Sequence, residues 1–407
     1  MSISRRTFLG TVAALPLAAH ALANSTTPPH IAVIGAGAFG GWTALHLRRL
    51  GAKVTLVDSW GPGNSRSSSG GETRVIRAIY GQDRPYVEMV KRAYELWSEL
   101  DETLYVETGA LWMHRGDDAY VRSSLPILKE LGFPVDSLTI DEARRRYPQI
   151  DYRGVQSIWF ERRAGALSAR RACVSVRDAF QKAGGTYRTA YVEPGAIAND
   201  SLSSIKLSDG TTLHADAFVF ACGPWLGKLF PDVLGDTIRP TRQEVYYFGV
   251  PRGSERYSPA QFPIWIDFGE RIVYGIPDIA GRGFKIADDT RGEPIDPTDT
   301  DRTPSAEGIA RARHLIAERF PELAKAPLIE ARVCQYENSP DGHLIIDHHP
   351  RAKNVWFVGG GSGHGFKLSP AVGEMAAQRV LAGKEVPKLF LLERLRDTKK
   401  PTTQFDT

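Results

Sequence analysis

Cysteine is scarce in this chain of 407 residues, which carries only Cys173, Cys222 and Cys334. Three cysteines cannot all pair within one chain. No Cys-x-x-Cys or His/Cys cluster accompanies them, so neither a disulfide framework nor a structural zinc site is expected. An excess of charge of one sign is also lacking. The formal net charge is +4, and no basic run carries interleaved aromatics, which excludes nucleic acid as the expected partner. The apolar run near the N-terminus is too short to span a bilayer comfortably, so no stable membrane insertion is expected. Internal repeats and low-complexity tracts are absent as well. What is present is ordinary globular composition, 42% hydrophobic and 24% charged, long enough for two interwoven domains.

The first residues read as an address. Ser4 to Gly10, "SRRTFLG", is a twin-arginine pattern; the apolar run "TVAALPLAAHALA" follows, and Ala21-Leu22-Ala23 supplies a small-x-small cleavage signal. Export to the periplasm or medium through the twin-arginine translocase is therefore expected, with residues 1–23 removed. The competing reading is an arginine-containing leader on a cytoplasmic protein. The twin-arginine route carries folded proteins, which suits an enzyme that takes up a cofactor before export.

Hydrophobic patterning then sets out the fold. "HIAVIG" is a short apolar run of the kind that forms a buried parallel strand, "GWTALHLRRL" is helix-like and ends at Gly51, and "AKVTLVD" is a second strand ending at Asp58. This strand-turn-helix-strand unit of about thirty residues opens a doubly wound sheet. "RPYVEMVKRAYELWSELDE" and "ACVSVRDAFQKAGG" read as helices, and "TTLHADAFVFACGPW" as two strands running into a glycine turn. Residues 236–335 alternate strand-like runs with Pro- and Asp-rich loops, as an antiparallel sheet would. "NVWFVGGGSGHGFKLSPAVGEMAAQRVLAG" returns to strand, glycine loop and helix. The expected architecture is α/β: a Rossmann-like domain of 28–85, 155–235 and 336–392, with a mainly antiparallel substrate domain of 86–154 and 236–335 inserted, and a poorly ordered tail over 393–407.

Gly35, Gly37 and Gly40 match G-x-G-x-x-G, and Asp58 lies 18 residues beyond the last of them. The first glycine permits the tight turn, the second lets backbone approach a pyrophosphate at the helix N-terminus, and the third allows close packing. Asp58 can accept from a ribose hydroxyl. The motif follows a strand and opens a helix, so it reads as a dinucleotide site rather than a turn that merely needs glycine. A second loop, "GGGSGHGFKLSPAVGE", with Gly361, Gly363 and Gly365, favours FAD over NAD. Two such loops embrace one elongated cofactor, and a helix N-terminus beside the ring favours its reduced, negative form.

Six stretches, "VIGAGAFG", "SSSGGETRVIRAIYG", "FACGPW", "GIPDIAGRGFKIADD", "ARVCQYENSPDGHLIIDHHP" and "GSGHGFKLSPAVGE", together resemble the monomeric sarcosine oxidase and N-methyltryptophan oxidase family of the D-amino-acid oxidase superfamily. The likeness runs in order from about residue 30 to about 390. It implies an FAD-dependent oxidase of secondary or N-methyl amino acids, a monomer that oxidises a C–N bond to an imine and reduces O2 to H2O2. It further implies that Cys334 carries the flavin through an 8α-S-cysteinyl bond, that Arg77 and Lys367 grip the substrate carboxylate, that Tyr274 and Tyr336 line the cavity, that Lys285 activates oxygen and that Arg74 lies near the flavin. From the residues alone, Cys334 is equally a buried thiol, Arg77 a surface ion pair, Lys285 a solvated strand lysine and the two tyrosines core. If residues 74–77 were helical, Arg74 and Arg77 would share a face.

Two departures from the family matter. Gly70 stands where sarcosine oxidase has a loop histidine, and Asp289 stands where it has a second active-site histidine. Both put sarcosine itself in question and leave room for a bulkier or more basic amine. His343, His348, His349 and His364 read as turn or flavin-loop residues, and no metal site is expected. The rival readings are a periplasmic flavin dehydrogenase that hands electrons to a quinone or cytochrome, and a flavin-loaded amino-acid binding protein. An NAD-dependent dehydrogenase is disfavoured by the second glycine loop.

Overall fold

The computed structural model describes residues 27–397, together with 402, 403 and 405. The twin-arginine pattern and the Ala21-Leu22-Ala23 signal lie outside the described residues. Two large sheets organise the rest. The first has six strands in the order Ile345–His349, Ala352–Gly359, Ala217–Phe220, His30–Ile34, Lys53–Asp58, Thr186–Thr189. Its last five strands are parallel, and Ile345–His349 is antiparallel to its neighbour.

The central strands of this sheet are unbroken apolar runs because both faces are covered. Ile31, Val33 and Val219 pack beneath helices that include Ala38–Arg49, Arg84–Asp101, Ala169–Lys182 and Ser369–Ala382. Ala32, Ile34, Phe218 and Phe220 pack on the other side against Ile205 and Leu207 of a small antiparallel sheet. A doubly wound sheet expects helices on both faces. Here a β-layer replaces them on one, since residues 192–214 are too short-stepped and polar-alternating to form a helix.

The second sheet has eight strands in the order Leu328–Asn338, Arg239–Phe248, Phe284–Asp288, Ile272–Ile276, Ile264–Phe268, Ala110–His114, Ser157–Glu161, Val135–Leu138. All its pairings are antiparallel except Ile264–Phe268 with Ala110–His114. Alternation sorts its side chains. Phe248, Trp265, Phe284 and Ile286 face a core closed by Ile316 of helix Ala306–Arg319 and by Phe320. On the opposite face Tyr247 pairs with Lys285, Tyr274 with Ala287, and Gln243 with Cys334. That second face carries Lys285, Tyr274, Cys334 and Tyr336 together.

Arg74 lies in an extended strand, Thr73–Ile76, which pairs with Gly165–Ser168. The conditional expectation of a helix there does not hold: the stretch is held by strand pairing, and Arg74 and Arg77 nevertheless border one small cavity. No helix among the described residues is long and apolar enough to cross a membrane.

Candidate functional site

The first glycine loop is built by backbone contact. Gly35 ends its strand at φ +101°, a region that glycine alone enters freely. A Cβ on Gly40 would lie 1.8 Å from the Gly35 carbonyl oxygen, so turn and helix touch main chain to main chain. Gly37 instead faces an elongated cavity of about 470 Å³. Asp58 lines the same cavity. Its Oδ2 accepts from the Ala36 N–H at 2.7 Å, and its Oδ1 from the N–H groups of Trp60 at 2.9 Å and Gly61 at 2.7 Å. A carboxylate has about four acceptor sites, so one remains for a ligand hydroxyl. Burial raises the Asp58 carboxyl above its ordinary value, against the pull of those three donors.

The cavity runs on past Ser68, Cys222 and Gly223 to Gly361, Gly363, Gly365 and Phe366 of the second loop. That loop leads through a short turn, Phe366–Leu368, into helix Ser369–Ala382. Gly35, Gly37 and Gly361 leave main chain exposed along part of this cavity, whose other lining includes Asp58, Ser68 and Glu337. Two buried polar atoms on lining residues, Ser68 Oγ and Glu337 Oε2, have no partner among the described residues. A long, phosphate-bearing dinucleotide supplies what such a slot lacks.

A smaller cavity of about 60 Å³ adjoins it, with Arg74, Gly363 and Phe366 common to both. Arg77 and Lys367 form its cationic side. The Arg77 guanidinium lies 4.7 Å from the Tyr80 ring centre and 5.2 Å from that of Trp112. Lys367 Nζ donates to the His364 carbonyl at 2.8 Å, and burial, with Arg77 nearby, holds its ammonium well below the usual lysine range. Acids face these cations. Asp289 lines the cavity and accepts from the Tyr336 hydroxyl at 2.7 Å. Burial pushes its carboxyl up to about 6. Glu161, fully buried, accepts from the Ala78 N–H and from Trp112 Nε1 at 3.3 Å, and burial raises it too. A small zwitterion would meet charge of both signs in such a cavity.

Residues 30–379 match the family described as DAO, FAD dependent oxidoreductase. The chain belongs to this family. It is similar to monomeric sarcosine oxidase of Bacillus sp. (strain B-0618), 32% identical over 390 residues covering 93% of this chain and 98% of that one. N-methyl-L-tryptophan oxidase of Salmonella heidelberg (strain SL476) is 28% identical, covering 86% and 94%. Among solved structures, L-proline dehydrogenase from P. horikoshii superposes with a TM-score of 0.79 at 23% identity, over 91% of this chain and 98% of that one. Fructosamine oxidase (Amadoriase II) from Aspergillus fumigatus gives 0.80 at 22%, over 94% and 93%. These likenesses bear out the Rossmann-like FAD fold with its antiparallel partner sheet.

The sequence-predicted residues divide by cavity in this FAD-dependent oxidoreductase. Gly35, Gly37, Asp58, Tyr336, Gly361, Gly363 and Gly365 line the long cavity, whereas Gly40 packs the turn behind it. Arg77, Tyr274 and Lys367 line the small one, and Arg74 borders both. Lys285 and Cys334 are among the lining residues of neither. Lys285 is buried beneath the sheet face, donates to the Thr73 carbonyl at 3.0 Å, and is brought down to about 7 by burial and by Arg74. Cys334 is a free, half-buried thiol packed near Val245, Tyr247, Ala287 and Tyr274. His364 is held between the Tyr80 hydroxyl and the Gly342 carbonyl, and among the described residues no group of His, Cys, Asp and Glu could hold a metal.

Sequence reasoning missed Glu161, Glu337 and Phe405. The two acids had a faint signal: each closes an otherwise strand-like run, "SIWFE" and "VCQYE", where a solvent-exposed loop is the ordinary reading. Phe405 had none. It lies in the tail expected to be poorly ordered, yet its ring lines the small cavity, 5.6 Å from the Arg77 guanidinium and 5.1 Å from the Phe268 ring.

Proposed function

We propose that this chain is an FAD-dependent oxidase of secondary or N-methyl amino acids, converting the amine, O2 and water to an aldehyde, a shortened amine and H2O2. The observation that carries the reading is the small cavity itself. It brings Arg77, Lys367 and Asp289 together, next to the long cavity that the family fills with FAD. FAD, when bound, supplies the two-electron acceptor for the amine C–H bond.

The chain's own residues bind, orient and move protons. A planar guanidinium stacked on Tyr80 and Trp112 presents its edge to a carboxylate, and Lys367 adds a second donor that recovers its proton when the anion arrives. Asp289, ionised above about pH 6, faces the amine and accepts its proton, leaving the nitrogen lone pair free. Tyr336 holds that carboxylate in place. Trp112, Ile266, Ile272 and Phe405 exclude water from the pocket.

Three finer assignments belong to the same proposal. Lys285, with Arg74 beside it, supplies positive charge for oxygen activation. Cys334 tethers FAD as a thioether; what supports this is the family resemblance of its segment and its place on the same sheet face as Tyr336. Export by the twin-arginine route rests on Arg5 and Arg6, and replacing both with lysine should retain the enzyme in the cytoplasm on cell fractionation; unchanged periplasmic activity would count against it.

The deciding experiment is to offer the yellow holoenzyme a panel of N-methyl and cyclic amino acids while recording oxygen uptake and peroxide. Equal uptake and peroxide are expected. Turnover only with an artificial acceptor would instead make it a dehydrogenase, and failure of any substrate to bleach the flavin anaerobically would leave a binding protein. Acid precipitation of the same sample should leave flavin on the protein, and Cys334→Ser should release it; flavin released from the parent would remove the tether.

A further inference from the structure

Glu337 is the acid that the reaction above does not use. It is the last residue but one of strand Leu328–Asn338 and is 6% exposed. Its Oε1 accepts from the Gly361 N–H at 3.0 Å, and its Oε2 has no partner among the described residues. Three glycines surround the carboxyl. A Cβ on Gly223 would lie 3.2 Å from Oε2, one on Gly359 3.8 Å from Oε2, and one on Gly361 2.8 Å from Oε1. These three neighbours contribute no side chain to cover the acid, and Glu337 lines the long cavity. Gly223 and Gly361 follow the carboxyl ends of the neighbouring parallel strands Ala217–Phe220 and Ala352–Gly359. In such sheets that is where a dinucleotide lies.

An isolated buried carboxylate is costly, and next to a pyrophosphate it would also be repelled. A carboxylic acid avoids both costs, but its O–H then needs an acceptor. FAD offers oxygens that can take that hydrogen bond: the phosphates only accept, and each ribityl hydroxyl can accept as well as donate. We propose that Glu337 is a cofactor-positioning residue that stands in the cavity as a neutral acid, its Oε2–H donating a hydrogen bond to an oxygen of the FAD linker. The proposal rests on the cavity being the FAD site. Burial pushes the Glu337 carboxyl up to about 7, opposed only by the Gly361 N–H. Affinity from this bond is thus fully present below about pH 7 and lost as the acid ionises above it. The other titratable groups lining the cavity are Asp58, Arg74, Tyr191, Cys222, Lys228 and Tyr336. All are unchanged in a Glu337 variant, so a difference from the parent isolates Glu337.

The test uses apoprotein in a Cys334→Ser background, so that FAD exchanges even where a thioether would form. FAD is titrated by quenching of its fluorescence at about pH 6 and about pH 8.5. The parent should weaken about 30-fold between the two, the slope of one proton lost over 1.5 units above the titration point. Glu337→Gln, which keeps a donor but cannot ionise, should bind with little change across the range. Glu337→Ala should bind about tenfold more weakly than the parent at the lower pH. If Glu337→Ala does not fold, Glu337→Gln decides alone. A parent-like drop in Glu337→Gln, or tighter parent binding at high pH, would overturn the donor role. A parent that binds no FAD at either pH would overturn the cofactor site itself, an outcome the variants cannot mimic.

Discussion

In the proposed reaction a single residue, Asp289, sets the pH behaviour. The amine of an amino acid reaches the pocket protonated, and only the neutral nitrogen can release its electrons. In the proposed reaction the Asp289 carboxyl, pushed up to about 6 by burial, is ionised above that value and takes the proton. In the parent, kcat/KM should therefore fall on the acid side with a limb near pH 6. Asp289→Asn cannot accept a proton, so the limb should move up by roughly two units or more, toward the pKa of the free amine, with rate recovering at high pH. A pH profile of kcat/KM measures this; an unmoved limb would assign Asp289 a merely structural place. At this scale the sequence was informative about position where a motif marks it, as at Arg77 and Lys367, which both line the small cavity. It was poor where chemistry depends on what lies opposite. Nothing in "SIWFE" announces that Glu161 faces a buried arginine, because that pairing is made by strands distant in the chain.

The two turn glycines separate fold from binding at the level of an element. Gly40 lets helix Ala38–Arg49 lie against the Gly35 carbonyl, and an added methyl would sit 1.8 Å from that oxygen, a backbone atom that cannot step aside. Gly40→Ala should cost about 1–3 kcal/mol and lower the melting temperature of the apoprotein by several degrees. Gly37 has only the Ser69 hydroxyl at 3.3 Å, a side chain able to rotate. Gly37→Ala should leave the apoprotein melting temperature within about a degree while weakening FAD binding about tenfold or more, because its methyl points into the cavity. Melting curves of apo and FAD-loaded protein compare the two; equal losses in both variants would refute the division. Elements were the most legible scale. The strand-turn-helix-strand opening and helices such as Arg84–Asp101 follow directly from apolar period. The segment Thr73–Ile76 escaped because four residues show no period, and only pairing with Gly165–Ser168 fixes them as strand.

The whole molecule closes on itself at a place the sequence does not mark. The Thr402 N–H donates to the Pro340 carbonyl at 2.8 Å, and Arg291 Nη2 donates to the Thr402 carbonyl at 2.7 Å. Three residues on, Phe405 packs edge-on against Tyr120 at 5.2 Å and against Phe268, over the Arg77 guanidinium. Arg77 is only 5% exposed in this arrangement. Removing the chain after Asp397 takes that ring away and admits water to the guanidinium. A charge pair loses strength steeply as its surroundings pass from protein-like to aqueous, so the substrate carboxylate is held less firmly. The truncated enzyme should show KM for small N-methyl amino acids raised about 5- to 10-fold, an effect of about 1 kcal/mol, with kcat nearly unchanged because Asp289 and the FAD cavity are untouched. Its ratio of flavin to protein absorbance should equal that of the full chain, and bulky N-methyl amino acids should lose less than small ones. Unchanged KM across the whole substrate panel would mean that the tail lies over the pocket without shaping it.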